Sequence, residues 1–251
     1  MKLKQKKSKY ETPSGIDIVV MNCDNKGYIE PCLESIVKNT QGKFNLIVID
    51  QNSTDGSREW LQKSKIATHL ILNDVNAGAW EGRNQGVRVA KYEWIMFLDS
   101  DTVIEDEGWI DKLWNYTIDS TIGVIEARVK IHNGTYMFGG FASCLIRKKV
   151  FKDIGLFDKH FMIGGDQDFW VKFGWFGDWK ICFCDDTDII HHCGKTINRE
   201  GGDSNKNPDH KFYREEMMRY KYSDKFLADT LGKITQQRVD EQNKRGWNNE
   251  V

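Results

Sequence analysis

Apolar residues in this chain come in short unbroken runs that alternate with helix-spaced ones. Ile16-Asp17-Ile18-Val19-Val20-Met21 reads as a strand, and Ile29, Cys32, Leu33, Ile36 and Val37 then recur at three- and four-residue intervals, as on one face of a helix. The same alternation continues. Residues 45–50 predict a second strand, 56–63 a short helix, 69–72 a third strand and 79–90 a helix, and Trp94-Ile95-Met96-Phe97-Leu98 is a strand covered on both faces. Strands joined by helices through short connections predict an α/β fold with a mostly parallel sheet, right-handed crossovers and helices on both faces. Beyond residue 102 the period becomes mixed, with a helix near 109–116, strands near 123–131 and 143–147, and the turn signal His132-Asn133-Gly134 between them. The expected organisation is a basic flexible arm at 1–13, a nucleotide-binding half at 14–102, an acceptor half of the same domain at 103–200, and a loop and helical tail at 201–251.

Composition narrows the function. With 251 residues, 39% of them hydrophobic, and 9 Trp and 13 Phe, the chain can bury one large core. Lys and Arg number 36 against 37 Asp and Glu, so the formal net charge of -1 gives no global field for nucleic acid or a membrane surface. Lys2, Lys4, Lys6, Lys7 and Lys9 are a local exception: a solvated arm, or a contact for phosphates. No apolar run approaches the roughly 20 residues of a membrane span, and no secretory signal follows the basic start, so a soluble, cytoplasmic protein is expected. Six scattered cysteines suit reduced thiols. The turn-rich stretch 201–208 is either a surface connection or a lid.

The candidate chemistry lies where the strands end. The fourth strand stops at Asp99-Ser100-Asp101, and carboxylates one residue apart are hard ligands for Mg2+ or Mn2+, ions that commonly also bind a substrate phosphate. Asn22 follows the first strand, Asp50-Gln51-Asn52-Ser53 the second and Asn73-Asp74 the third. Taken singly, each is equally a turn former or helix cap. Four in register with βα units converge on the C-terminal sheet edge, where open α/β sheets bind ligands, and point to a nucleotide. Gly78 opens a helix that carries Arg83 in its first turns, within reach of a phosphate or a base. Neither a Walker A pattern nor a dinucleotide glycine fingerprint follows the first strand, which argues against an ATPase or a nicotinamide enzyme.

Over about residues 15–197 the chain resembles a family 2 glycosyltransferase of the GT-A fold. Val48-Ile49-Asp50-Gln51-Asn52-Ser53-Thr54-Asp55-Gly56-Ser57 resembles the family's "VDNGSTDGS" signature, and Val20-Met21-Asn22 its first strand end. Asn76-Ala77-Gly78 with Gly82-Arg83-Asn84-Gln85-Gly86 resembles "NxG…aRNxG", and Phe97-Leu98-Asp99-Ser100-Asp101 the DxD metal motif. The resemblance implies that Asp50 recognises the base, that Asn22, Asn52, Gly78, Arg83 and Ser100 line the donor pocket, and that Asp99 and Asp101 bind ribose and a metal-diphosphate. Ile163-Gly164-Gly165-Asp166-Gln167-Asp168-Phe169-Trp170 resembles the "GEDvDl" segment, which implies Asp166 as general base with Asp168 in support. Gly165 stands where the family has Glu. Ile189-Ile190-His191-His192 matches a position whose histidine completes the metal shell; alternation allows only one of the pair, and His192 is preferred.

The implied activity is inverting, Mn2+- or Mg2+-dependent transfer of a sugar from a nucleoside diphosphate, UDP expected, to a hydroxyl on a glycan. Two other readings stay open. The acceptor is instead a hydroxylated base in DNA, with the lysine arm and Arg214, Arg219, Lys221 and Lys225 tracking phosphates, or the chain is a non-catalytic sugar-nucleotide or glycan-binding module, for which Gly165 is the support. A structural zinc site at Cys182, Cys184, His191, His192 and Cys193 lacks the usual ligand spacing.

Overall fold

The computed structural model describes residues 13–131, 133–161, 165–176 and 178–192, with isolated positions between 218 and 244. The arm up to residue 12, the 201–208 loop, Cys193 and most of the tail, Arg214, Arg219 and Lys225 included, lie outside the described residues.

The first half follows the alternation of the sequence. Strand β1 (Ile16–Asn22) leads through helix α1 (Lys26–Asn39) to β2 (Phe44–Asp50), then α2 (Ser57–Ser64), β3 (His69–Leu72), α3 (Gly78–Val89) and β4 (Trp94–Asp99). All neighbours among these strands are parallel, and β1 lies between β2 and β4. Because parallel strands run in step, the register pairs Asn22 with Asp50 and Met21 with Asp99, so three polar strand ends form one row.

The second half adds β5 (Thr102–Ile104), α4 (Trp109–Trp114), β6 (Ile122–Ile131), β7 (Tyr136–Phe138), a 3-10 turn at Gly140–Ala142, β8 (Ser143–Arg147), α5 (Lys148–Ile154), α6 (Gly165–Phe176) and β9 (Lys180–His191). Strand β8 runs antiparallel to both β4 and β6, while β9 is parallel to β6 and antiparallel to β5. One sheet therefore crosses both halves in the order β3-β2-β1-β4-β8-β6-β9-β5, with β7 on β6. The turn at 133–134 closes the β6/β7 hairpin, not a direct β6/β8 one; Gly134 has φ +84°, a left-handed conformation natural to glycine.

Each face of the sheet has its own core. Ile29, Leu33 and Ile36 of α1 and Trp109 and Leu113 of α4 cover one face. The other face is aromatic: Phe97, Phe141, Phe151, Phe157, Phe169, Trp170 and Phe173 pack with Trp80. Their contacts are mainly edge-on or tilted, as ring quadrupoles prefer; Phe141 meets Phe169 at 5.1 Å and 88°. Burying each ring contributes on the order of 2–3 kcal/mol. Gly86 lets α3 press on the sheet, since a Cβ there would lie 2.5 Å from Val19 Cγ1.

Candidate functional site

The row of strand ends is a connected polar network. Asn22 is buried at the end of β1, and its Nδ2 lies 2.9 Å from Asp50 Oδ1, 2.9 Å from Ser53 Oγ and 2.7 Å from Ser57 Oγ. The other Asp50 oxygen accepts the Ser53 N–H and the Arg58 guanidinium, both at 3.1 Å. The Asp50 side chain has 0% exposure, so the expectation that it contacts a base is corrected: both oxygens are engaged in fixing the loop after β2. Gln51 does the same one residue on. Its Oε1 accepts from Asn73 Nδ2 and Ala77 N, each at 3.0 Å, and its Nε2 donates to Gly78 O at 3.1 Å. Asn52 is exposed with φ +62°, a conformation Asn tolerates, and Gly78 has φ +82° at the start of α3. Ser100 is buried and accepts a hydrogen bond from Asn25 Nδ2 at 2.9 Å. The sequence names Gln51, Ser53 and Ser57 only within longer runs and gives them no role, and Arg58, the second residue of α2, carries no local signal of its bond to Asp50.

At the end of β4, charge converges. Arg83 Nη2 donates to Asp99 Oδ1 at 2.9 Å, and its Cζ lies 4.8 Å from the Trp80 ring and 5.7 Å from the Phe141 ring. Burial pulls the Arg83 pKa down, while Asp99 and then Asp166 favour its charged form. Burial raises the Asp99 pKa, Arg83 and His191 oppose the rise, and Asp101 adds to it. His191, the last residue of β9, has Nε2 3.3 Å from Asp101 Oδ1 and 3.8 Å from Asp99 Oδ2. Ligand atoms of Asp99, Asp101 and His191 all lie within 4.8 Å of one another. The preference for His192 is corrected: alternation sends its ring to Tyr28, 5.3 Å away, and its backbone N–H donates to Asp101 O at 2.9 Å.

Two carboxylates and an imidazole in this spacing suit a hard or borderline divalent ion such as Mg2+ or Mn2+. Cys32 Sγ lies 3.7 Å from Asp99 O, but burial first, with Asp101 and Asp99 adding to it, pushes its thiol up to about 12, so it offers no thiolate. Among the described residues no cysteine joins a metal-type grouping.

Helix α6 supplies the remaining carboxylates. Asp166, in its first turn, is half-buried and has no hydrogen-bond or ion-pair partner among the described residues, while its charge is felt at Arg83. Asp168 is different. Its side chain has 0% exposure, with Lys172 Nζ 3.0 Å from Oδ2 and off the hydrogen-bonding direction, Lys221 Nζ 2.6 Å from Oδ1, and the Tyr222 O–H donating to Oδ1 at 2.7 Å. Enclosed in this way, Asp168 fits the supporting part expected of it only through position and not through contact with a substrate. Gly165 also finds a reason. A Cβ there would sit 2.7 Å from Trp80 Nε1, so the Trp80 indole fills the space a Glu side chain would need. Lys221, counted above among phosphate-tracking cations, is engaged by Asp158 and Asp168.

Known proteins resemble this chain in sequence and in fold. Residues 17–140 match the family described as Glycosyl transferase family 2. Poly-beta-1,6-N-acetyl-D-glucosamine synthase of Staphylococcus aureus (strain MSSA476) is 26% identical over 127 residues, 50% of this chain and 31% of that protein. The aligned stretch is thus about a third of the length of such relatives. Among solved structures, S. aureus TarS 1-349 superposes with a TM-score of 0.60 at 20% identity, covering 70% of this chain and 60% of that one; it has also been solved with UDP. The mannosyltransferase PcManGT from Pyrobaculum calidifontis, in complex with GDP-Man and Mn2+, superposes with a TM-score of 0.58 at 17% identity, covering 74% and 58%. No helix among the described residues is long and apolar enough to cross a membrane. Residues 17–140 thus resemble a glycosyl transferase family 2 domain, and the fold is that of the GT-A glycosyltransferases.

Proposed function

We propose that the chain is an inverting, metal-dependent glycosyltransferase that moves a sugar from a nucleoside diphosphate, UDP first, to a hydroxyl on a glycan. The observation that carries this reading is the meeting of Asp99, Asp101 and His191 beside Arg83, with Asp166, which has no partner among the described residues, in electrostatic reach. Asp101, His191 and Asp99 would hold Mn2+ or Mg2+, which supplies Lewis-acid neutralisation of the leaving diphosphate when bound.

The protein's own groups do the rest. The network of Asn22, Asp50 and Gln51 fixes the edge on which base and ribose lie, with Asn52, Gly78 and Ser100 along the same edge. Arg83, held against Trp80 and Phe141, keeps a cation beside the phosphates, where a desolvated charge is worth more than in water. Asp166 accepts the proton of the acceptor hydroxyl as that oxygen attacks the anomeric carbon on the face opposite the diphosphate. The new C–O bond forms as the old one breaks, and the electron pair leaves with the diphosphate.

The glycan acceptor is supported by the relatives, of which the synthase is named for a polysaccharide. The test is calorimetric titration of UDP with and without Mn2+, joined to UDP release from UDP-sugars by the wild type and by Asp166→Asn. Metal-dependent binding, with release lost in the variant, is expected. Full release by Asp166→Asn removes the base from Asp166, and no metal-dependent binding of any nucleotide removes the donor site.

A further inference from the structure

Asp168 is a fully enclosed carboxylate, and two of its three partners among the described residues come from the chain's C-terminal tail. Lys221 Nζ lies 2.6 Å from its Oδ1, the Tyr222 O–H donates to the same oxygen at 2.7 Å, and only Lys172 belongs to α6 itself. Lys221 also reaches Asp158 Oδ2 at 2.8 Å, in the connection between α5 and α6. The tail turn is anchored in its own right: the Tyr222 N–H donates to Met218 O at 2.8 Å, and the Met218 side chain, 3% exposed, sits in the aromatic core.

Two lysines thus face two aspartates in a balanced cluster across three segments, and His160 adds a contact to Asp158 at 2.9 Å. A buried carboxylate stripped of its partners is strongly unfavourable, so α6 can keep Asp168 inside only while the tail is in place. Asp166 shares the first turn of α6 with Asp168, and the direction of one carboxylate fixes that of the other.

We propose that Lys221 and Tyr222 are positioning residues that set the first turn of α6, and with it Asp166, so that the tail is part of the working acceptor half. The catalytic side of this inference rests on the glycosyl-transfer reading; the structural side does not.

The experiment compares the full chain with Tyr222→Phe, with the double variant Lys221→Met/Tyr222→Phe, and with Lys221→Arg. Three readouts are taken: hydrogen exchange of amides 165–176, UDP affinity with Mn2+, and kcat and KM for UDP release from a UDP-sugar. In the double variant, α6 exchange is expected to rise and kcat to fall by about tenfold each, with UDP affinity held within about twofold; Tyr222→Phe shows the same in smaller measure and Lys221→Arg stays near wild type. Unchanged α6 exchange in the double variant overturns the proposal, and so does a loss of UDP affinity by the same factor as kcat, which marks general damage. A wild type that releases no UDP from any UDP-sugar overturns the glycosyl-transfer reading, and with it the catalytic half of the proposal, while hydrogen exchange still decides the structural half.

Discussion

Asn84 holds Phe157 by both of its backbone groups, Nδ2 donating to Phe157 O at 2.9 Å and Oδ1 accepting the Phe157 N–H at 3.0 Å. Asn84 follows Arg83 on α3, and Phe157 lies in the connection from α5 towards α6, so one amide ties the helix of Arg83 to the segment that precedes Asp166. Asn84→Ala leaves two buried backbone groups unpaired and should cost about 2–4 kcal/mol in denaturant unfolding. Asn84→Asp, which keeps the acceptor but sets a buried carboxylate against Phe157 O and Glu81 Oε2, should cost at least as much. An unmoved midpoint in Asn84→Ala would separate the two halves energetically.

The adjacent histidines should behave unequally. His191→Ala is expected to weaken Mn2+-dependent UDP binding by at least about tenfold, and His192→Ala, whose ring lies against Tyr28, by much less. Calorimetry at fixed Mn2+ reads both. Equal losses would return His192 to the metal.

Gly165 and Trp80 share one space. Gly165→Glu forces the indole aside and should destabilise the fold by about 1–3 kcal/mol. Trp80→Ala is costly alone, but combined with Gly165→Glu it should cost less than the sum. A thermal-unfolding cycle with zero coupling would show that the close approach at 2.7 Å does not govern which residue stands at 165.

Acid should loosen the α5–α6 connection. Burial pushes the Asp158 pKa up, but Lys221 and His160 outweigh it and bring it down to about 2. A depressed folded pKa gives stability that is present above the unfolded value near 4 and is lost as pH falls through the folded one. The melting temperature should therefore drop between about pH 4 and pH 2, and Asp158→Asn should flatten that part of the curve. An identical slope in the variant would assign the acid sensitivity to other carboxylates.

The first half of the fold was legible because β1, β2 and β4 are apolar on both faces and end in polar residues, a pattern that a parallel sheet requires. Strands β5 and β7, at three residues each, and α5, at seven, are too short to show a period. Strand β9 hid behind Asp185, Asp186 and Asp188, which break its apolar pattern although Thr187 between them is fully buried. The site was legible as an edge but not as a set of bonds. That Asp50 faces inward depends on Arg58 and Asn22, and that Asp168 is enclosed depends on residues more than fifty positions away. The choice between His191 and His192 needed a strand register, which composition does not carry.

That register has its own origin. Strand β9 pairs with β6 at Ala127 and Cys184, then resumes at Val129 and Ile189, so residues 185–188 form slack that β6 does not match. Only after this slack does His191 come opposite Thr102. One residue more or fewer there would advance the strand by half a pleat and present the neighbouring imidazole on the opposite side. Within this segment Thr187, buried and donating Oγ1 to Arg128 O, and Asp188, paired with Arg128, pin the chain, so single-residue insertions and deletions should be silencing while substitution of the exposed Asp186 is tolerated.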